Sequence, residues 1–377
     1  VTPRFVRLRL LATLLGTALV PTSTRPAPRP PAPRPRPTVG ALPILGVHTR
    51  LTDEVEEWKI ARTFQMVRAM GAQWAVEYFP WAYIQPHSKQ HWEWTHADQV
   101  VRHAVANGIR VIARLDGVPA WARPRETTFR YLEPGRFGDF ADFVEAFVAR
   151  YRSAVQHYVI WNEPNTSFEW GYRPVSPEEY TALLRTVYPR IKRAHPQAVV
   201  ISAGLAPTLE QSEWGLNDLV FLERMYAAGA GAWFDALGVH AYGWRLPPDD
   251  PPAPDRVNFA RAELHYAIMQ QHGDGHKPVF ITEAGWNDHP RWTKAVRPAQ
   301  RIEYTLRAIQ KAQAEWPWLR ALCFWQFRLP QPARNVSDYA TFVDVDFEPK
   351  PIYLAVQNLV ASLSPHAQPL SRAAREG

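Results

Sequence analysis

Cysteine is almost missing from this chain: Cys323 is the single one among 377 residues. One thiol excludes an internal disulfide and any cysteine-cluster metal site. Inside the apolar run "ALCFW" it reads as a small core residue rather than a nucleophile. A long hydrophobic run near the start is missing too. "LLATLLGTALV" (Leu10–Val20) has 11 residues, short of the roughly 20 that cross a bilayer. The first 40 residues hold no acid but seven arginines (Arg4, Arg7, Arg9, Arg25, Arg29, Arg34, Arg36). Without those seven, the 43 basic residues fall to 36, equal to the 36 acids. The formal charge of +7 therefore belongs to the leader. The body has no basic surplus to track phosphates, which argues against a nucleic-acid partner. No glycine-rich phosphate turn follows the first apolar run either, since "LGVHTRLTDE" stands there. That disfavours a doubly wound, dinucleotide-binding sheet.

What is present is a globular body, with 46% apolar and 12% aromatic residues. Its length fits one barrel-sized domain or two ordinary ones. Residues 1–20 have the arginine-bearing start and short apolar core of a signal peptide, or of an uncleaved N-terminal anchor. Residues 21–40, with "PTSTRPAPRPPAPRPRP", form a Pro/Arg-rich linker with nothing to pack. Added untranslated sequence is the bland alternative. Export is the expectation, with the protein secreted or extracytoplasmic, free or tethered to the membrane through this segment.

After Gly40, short β-like runs alternate with longer helical patterns. The runs are "PILGV" near 43, "QWAVE" near 73, "IRVIARL" near 109, "YVIW" near 158, "AVVIS" near 198, "DALGVH" near 235, "PVFIT" near 278 and "ALCFW" near 321. Each interval holds one strand, one helix and two loops. "SPEEY" predicts a helix with Ser176 as N-cap, Pro177 in the first position and Glu179 completing a capping box. "THADQVVRHAVANG" predicts a helix from Thr95, with Asp98 three residues on, that stops at Gly108. Eight strand–helix units without a composition break predict a single α/β domain over residues 41–363, a (β/α)8 TIM barrel. Residues 364–377 remain as a C-terminal tail.

Active groups in such a barrel stand at the carboxyl ends of the strands. "VIWNEPN" ends a strand and delivers Asn162 and Glu163, with Pro164 locking the chain behind them. "KPVFITEAGW" delivers Glu283 as its apolar run finishes. Strands four and seven face each other across the mouth. Two carboxyl groups aimed at one point are what general acid and nucleophile work at a glycosidic bond requires. A lone glutamate after a strand is usually a solvated loop residue, whereas two at matched strand ends are not. His87, His91 and His96 in "HSKQHWEWTH" have no matching carboxylates, and a zinc site is not expected there. The sequons at Asn165 and Asn335 carry little weight.

Asn162-Glu163-Pro164, His240-Ala241-Tyr242 on the sixth strand, Thr282-Glu283 and Trp325 on the eighth together resemble the clan A glycoside hydrolases. The spacing is most similar to the cellulase-like and xylosidase-like branches, over residues 42–363. The resemblance implies a retaining hydrolase of β-linked poly- or oligosaccharides, a β-glycosidase or endo-β-glycanase. Glu163 would be the acid/base and Glu283 the nucleophile. Asn162 would hydrogen-bond the sugar 2-hydroxyl, Tyr242 would donate to Glu283, His240 would line the subsite and Trp325 would form its floor. Trp81, Trp121, Trp170, Trp244 and Trp286 follow strand ends and are candidates for sugar stacking. No cofactor or metal is implied, the partner is the β-linked carbohydrate, and a monomer is expected. One departure stands out. Such sequences commonly carry an arginine near the end of strand two, where "QWAVEYFPW" has Val76. Charge support for Glu283 is then expected from elsewhere, with Arg114 as the candidate, and Glu77 becomes a candidate subsite residue. The rival readings are an inactive carbohydrate-binding barrel and a cell-wall interaction protein with the barrel as spacer.

Overall fold

Residues 44–363 are described by a computed structural model; the expectations for residues 1–20, 21–40 and 364–377 lie outside the described residues. Within them every one of the eight apolar runs is a strand. These are β1 (Leu45–His48), β2 (Trp74–Pro80), β3 (Arg110–Asp116), β4 (His157–Ile160), β5 (Val199–Ser202), β6 (Leu237–Tyr242), β7 (Val279–Gly285) and β8 (Leu319–Phe324). The strand order is β5-β4-β3-β2-β1-β8-β7-β6, with parallel pairings throughout. The remaining seam is spanned by a parallel bridge between Ile201 and Ala236, where Ser202 N donates to Ala236 O at 3.1 Å. The result is a nearly closed (β/α)8 barrel.

A helix follows each strand. In chain order they are α1 (Glu57–Ala69), α2 (Trp81–Ile84), α3 (Thr95–Ala106), α4 (Phe137–Tyr151), α5 (Pro177–Ala194), α6 (Asp218–Ala227), α7 (Ala262–Gln271), α8 (Pro298–Glu315) and α9 (Pro351–Ser362). The short α2 is the extra one, inserted between β2 and α3. No helix of the described residues is long and apolar enough to cross a membrane. The strands are covered on both faces, which is why they read as near-continuous apolar runs. Trp74, Val76, Ile112, Val159, Ile201, Phe280, Ala321 and Cys323 fill the barrel interior. Their neighbours in sequence, such as Ala75, Ala113, Val200 and Leu322, face the helices. On α4, Phe140, Phe143, Phe147 and Tyr151 recur at helical spacing and are buried; each phenylalanine contributes about 1.5–3 kcal/mol by leaving water.

Two helix starts differ in detail from expectation. Ser176 Oγ does accept from Glu179 N at 3.1 Å, but the Glu179 carboxylate turns to Arg173 instead of closing the capping box. Asp98 does not serve the start of α3; it accepts from Tyr151 Oη at 2.7 Å and pairs with Arg150. In both cases a nearby arginine offers a charge-assisted partner stronger than a backbone amide. Glu77 requires a larger correction. Trp74 and Val76 point inward, so Glu77 points outward and away from the mouth. It is fully buried there, accepting from Leu51 N at 3.0 Å and from the hydroxyls of Thr49 and Thr52. Burial raises its carboxyl above the usual range, against those hydrogen bonds. Glu77 is the post that holds the loop after β1.

Candidate active site

The mouth is assembled from strand ends whose backbone leaves ordinary strand geometry. After β4, Trp161 and Glu163 have φ of 74° and 39°, a left-handed conformation that non-glycine residues rarely adopt. Fixed partners impose it. Tyr180 Oη of α5 donates to Ile160 O at 2.8 Å, Trp161 Nε1 donates to Glu169 O at 2.9 Å, and Glu163 N donates to Gly204 O at 3.1 Å. Asn165 is fully buried, its amide donating to Ala206 O and Leu216 O and accepting from Ala206 N. That side chain ties the loop after β4 to the loop after β5. Gly204 has a second use: a Cβ there would stand 2.2 Å from the ring of His240. On β7 a register shift sets Glu283 opposite His240 and leaves Thr282 as the extra residue.

These devices bring the candidates together. His240 Nδ1 lies 2.7 Å from Glu163 Oε1 and 3.8 Å from Glu283 Oε2. Tyr242 Oη donates to Glu283 Oε2 at 2.7 Å. Arg114 Nη1 stands 3.6 Å from Glu283 Oε1, while its Nε is 3.1 Å from Asp116 Oδ2. Val76 is in the barrel interior, and the cation beside Glu283 comes from β3. One oxygen from each glutamate and one His240 nitrogen lie within 4.8 Å of one another. The same trio is the group among the described residues that could hold a metal ion. Arg114 already supplies a cation to Glu283, and Tyr242 occupies one of its oxygens. Asn162 is buried beside Glu163.

The electrostatics follow from burial in this small space. Burial pushes His240 down, but the Glu283 charge and the contact with Glu163 outweigh it, and its imidazole is held above its ordinary value. Burial and the Glu283 charge push the Tyr242 hydroxyl well up, so it stays a donor. Burial opposes the charge on Arg114, yet Asp116 and Glu283 together hold its guanidinium above its ordinary value.

Trp325 closes one side of the mouth, with the peptide bond to Gln326 cis. His48, at the end of β1, meets its ring edge-on at 4.8 Å. Beside Glu283, a pocket of about 210 Å³ is lined by Tyr242, Trp244, Trp286, Trp292, Trp325 and Ser337. Trp286 is fixed by donation of its Nε1–H to Leu246 O at 2.8 Å. Trp81 and Trp170 are fully buried among core aromatics, which removes them from the sugar-stacking candidates. Trp121 stands apart from the pocket: its Nε1–H donates to Gln85 O at 2.8 Å and its ring packs on Trp81.

Sequence reasoning missed three groups at this face. His48 is buried, and burial with the charges of Arg114, Arg50 and His240 pushes its imidazole well down, so it is neutral. Its position as the last residue of a strand was the available signal. Arg50 carries its guanidinium 5.7 Å over the Trp325 ring. Glu169 accepts from Arg130 Nε at 2.7 Å. Burial, opposed by Arg130 and reinforced by the Glu163 charge, raises its carboxyl to about 7. A folded-state value above the ordinary 4.5 means that the folded protein holds this proton more tightly than the unfolded chain. Stability from Glu169 is thus greatest below pH 4.5 and declines as pH rises towards about 7. Glu169→Gln is expected to flatten the fall of the thermal midpoint across that window. An unchanged slope would remove Glu169 as its source.

Two carboxylates, an imidazole and a phenol thus converge at the carboxyl-end mouth of the barrel. Among solved structures the chain is similar to a family 39 glycoside hydrolase from the gut symbiont Bacteroides cellulosilyticus WH2, with a TM-score of 0.68 and 22% identity. The match covers 85% of this chain and 64% of that one, so this chain spans under two thirds of that protein's length. GH5_18 from Streptomyces cattleya, solved in complex with GlcNAc, matches with a TM-score of 0.62 and 16% identity over 85% of this chain and 80% of that one. The β-glycosidase BGL167 matches with a TM-score of 0.58 and 16% identity, covering 84% and 88% respectively. At these identities the likeness establishes the fold. No protein-family model and no curated protein matches the chain.

Proposed function

We propose that the protein is a retaining glycoside hydrolase that cleaves β-linked poly- or oligosaccharides by double displacement. The observation that carries this reading is the close approach of Glu163 and Glu283, with oxygens from the two carboxylates within 4.8 Å. Retaining enzymes separate their carboxyl groups by about 5–5.5 Å, and inverting ones by about 6.5–9.5 Å to admit a water. The two environments support opposite roles. The Glu283 side chain keeps 9% of its surface exposed and has Arg114 and Tyr242 on its oxygens, which suits a nucleophile held as an anion. The Glu163 side chain keeps 21% exposed, which suits a group that exchanges a proton with leaving group and water.

In the first step Glu163 gives its proton to the glycosidic oxygen while a Glu283 oxygen bonds to the anomeric carbon. The bond to the leaving group breaks, and its electron pair stays on the departing oxygen. In the second step Glu163, now a carboxylate, takes a proton from water. The resulting hydroxide oxygen displaces Glu283 from the anomeric carbon. Asn162 is the candidate partner of the 2-hydroxyl, and Trp325 with Trp286 supplies apolar wall. An inactive binding barrel has no use for a cation and a phenol set on one of two paired carboxylates. With a β-glycoside substrate the β-anomer is expected to be released first, followed by proton NMR before mutarotation. Release of the α-anomer first would overturn the retaining mechanism.

A further inference from the structure

Resting on the glycosidase reading above, we propose that the loops after β3, β4 and β5 carry a leaving-group platform. On it Phe129, Phe168 and Tyr172, with Trp214 at the edge, hold sugar rings of a β-linked oligosaccharide beyond the scissile bond.

The leaving-group oxygen must contact Glu163, so the departing part of the substrate lies against the segment that follows it. That segment bears exposed rings. Phe168, Tyr172 and Trp214 expose 49%, 58% and 49% of their surface, and Phe129 on the neighbouring loop exposes 39%. Single exposed aromatics are ordinary, but these belong to one braced rim. The Arg130 guanidinium carbon lies 4.4 Å from the centroid of Phe129 and 4.3 Å from that of Phe168, so it joins the two rings. Arg130 Nε also donates to the Glu169 carboxylate, and the Glu169 carbonyl holds the indole of Trp161, two residues before Glu163. Ser167 N donates to Trp214 O at 2.8 Å, and Thr166 bridges Gly215. At Gly171, with φ of +74°, a Cβ would stand 2.5 Å from Tyr131 Cα, so the loops after β3 and β4 interlock.

Tyr172 adds a separate observation. It has φ of 57°, a left-handed conformation that is rare for a bulky residue. Yet its ring is exposed, edge to face with Phe168 at 5.8 Å between centroids. Such conformations persist where the surroundings impose them, and they cluster at ligand clamps. The apolar faces of pyranose rings, with their axial C–H groups, match exposed aromatic faces. The connection to Glu163 through Arg130, Glu169 and Trp161 favours a sugar chain over an unrelated protein partner.

The test compares two substrates that share a glycone, the 4-nitrophenyl monoglycoside and β-linked oligosaccharides of two to five units from gluco, xylo and manno series. Wild type, Phe168→Ala, Tyr172→Ala and the double variant are assayed, with Tyr172→Phe as the conservative control. Each ring removed is expected to lower kcat/KM on the preferred oligosaccharide about tenfold. The value on the monoglycoside and the thermal midpoint should hold, and Tyr172→Phe should behave as wild type. Equal losses on both substrates, no loss on the oligosaccharide, or a wild-type enzyme that favours no chain over the monoglycoside would each overturn the platform. Glu163→Gln, run in parallel, separates the two readings. If it keeps full activity on every substrate, the glycosidase assignment of Glu163 fails whatever the platform variants do.

Discussion

Glu283→Ala is expected to lower turnover of a β-glycoside by at least about 10,000-fold, since it removes the group that forms the covalent intermediate. The fold should survive, because Arg114 keeps Asp116 at 3.1 Å as a counter-charge. Truncation opens space on one face of the sugar, and azide should enter it. Direct attack by azide inverts the anomeric carbon once, so the product should be the α-glycosyl azide. Glu163→Ala should behave in the opposite way. With a good aryl leaving group that needs little protonation, the glycosyl-enzyme still forms and then stalls for want of a base. Azide should release it from the other face as the β-glycosyl azide, after two inversions. Opposite azide anomers from the two variants would fix both roles. The same anomer from both, or rescue of neither, would sink the pairing of Glu163 with Glu283.

Much of this arrangement was legible because strand ends are marked in the chain. "YVIW" and "PVFIT" stop where polar groups begin, and the eight runs gave the barrel. Strand alternation also decides which way each strand residue points. With Trp74 and Val76 inward, Glu77 had to point outward, and its subsite role could have been rejected from period alone. Alternation also fails where the backbone breaks it. Counting from inward Phe280 turns Glu283 away from the mouth, and only the irregularity at Thr282 returns it. Nothing in "FITEAG" announces that bulge. The tryptophans show another limit: Trp81 and Trp286 both follow strands, yet one packs into core rings and the other lines the pocket. Strand-end position does not say which way a loop turns. The Arg130–Glu169 pair joins residues 39 apart in sequence, so it could only be met in three dimensions.

Arg114→Met is expected to lower kcat/KM by about 100- to 1,000-fold, the loss typical of removing a fixed charge that stabilises the reacting centre. Val76 supplies no cation from β2, so Arg114 is the arginine beside Glu283. At a distance of 3.6 Å the Coulomb attraction of such a pair is about 5 kcal/mol at an effective dielectric of 20, before the cost of desolvating either charge. The Tyr78 ring lies 4.4 Å from the guanidinium carbon, and Asp116 anchors its Nε side. One guanidinium thus lies in ion-pair distance of two carboxylates through two different nitrogens, and the single ammonium of lysine cannot serve Asp116 and Glu283 with the same geometry. Arg114→Lys should recover only part of the loss. The variant also has a structural consequence, because Asp116 is buried and left without its cation, a change that costs about 3–5 kcal/mol. Stability and chemistry can be parted by removing that orphaned charge. Arg114→Met with Asp116→Asn should regain most of the thermal midpoint while activity stays low, because Glu283 still lacks the guanidinium charge and keeps only His240, at 3.8 Å, and the Tyr242 hydroxyl. If the double variant regained turnover along with stability, Arg114 would be acting through the fold alone.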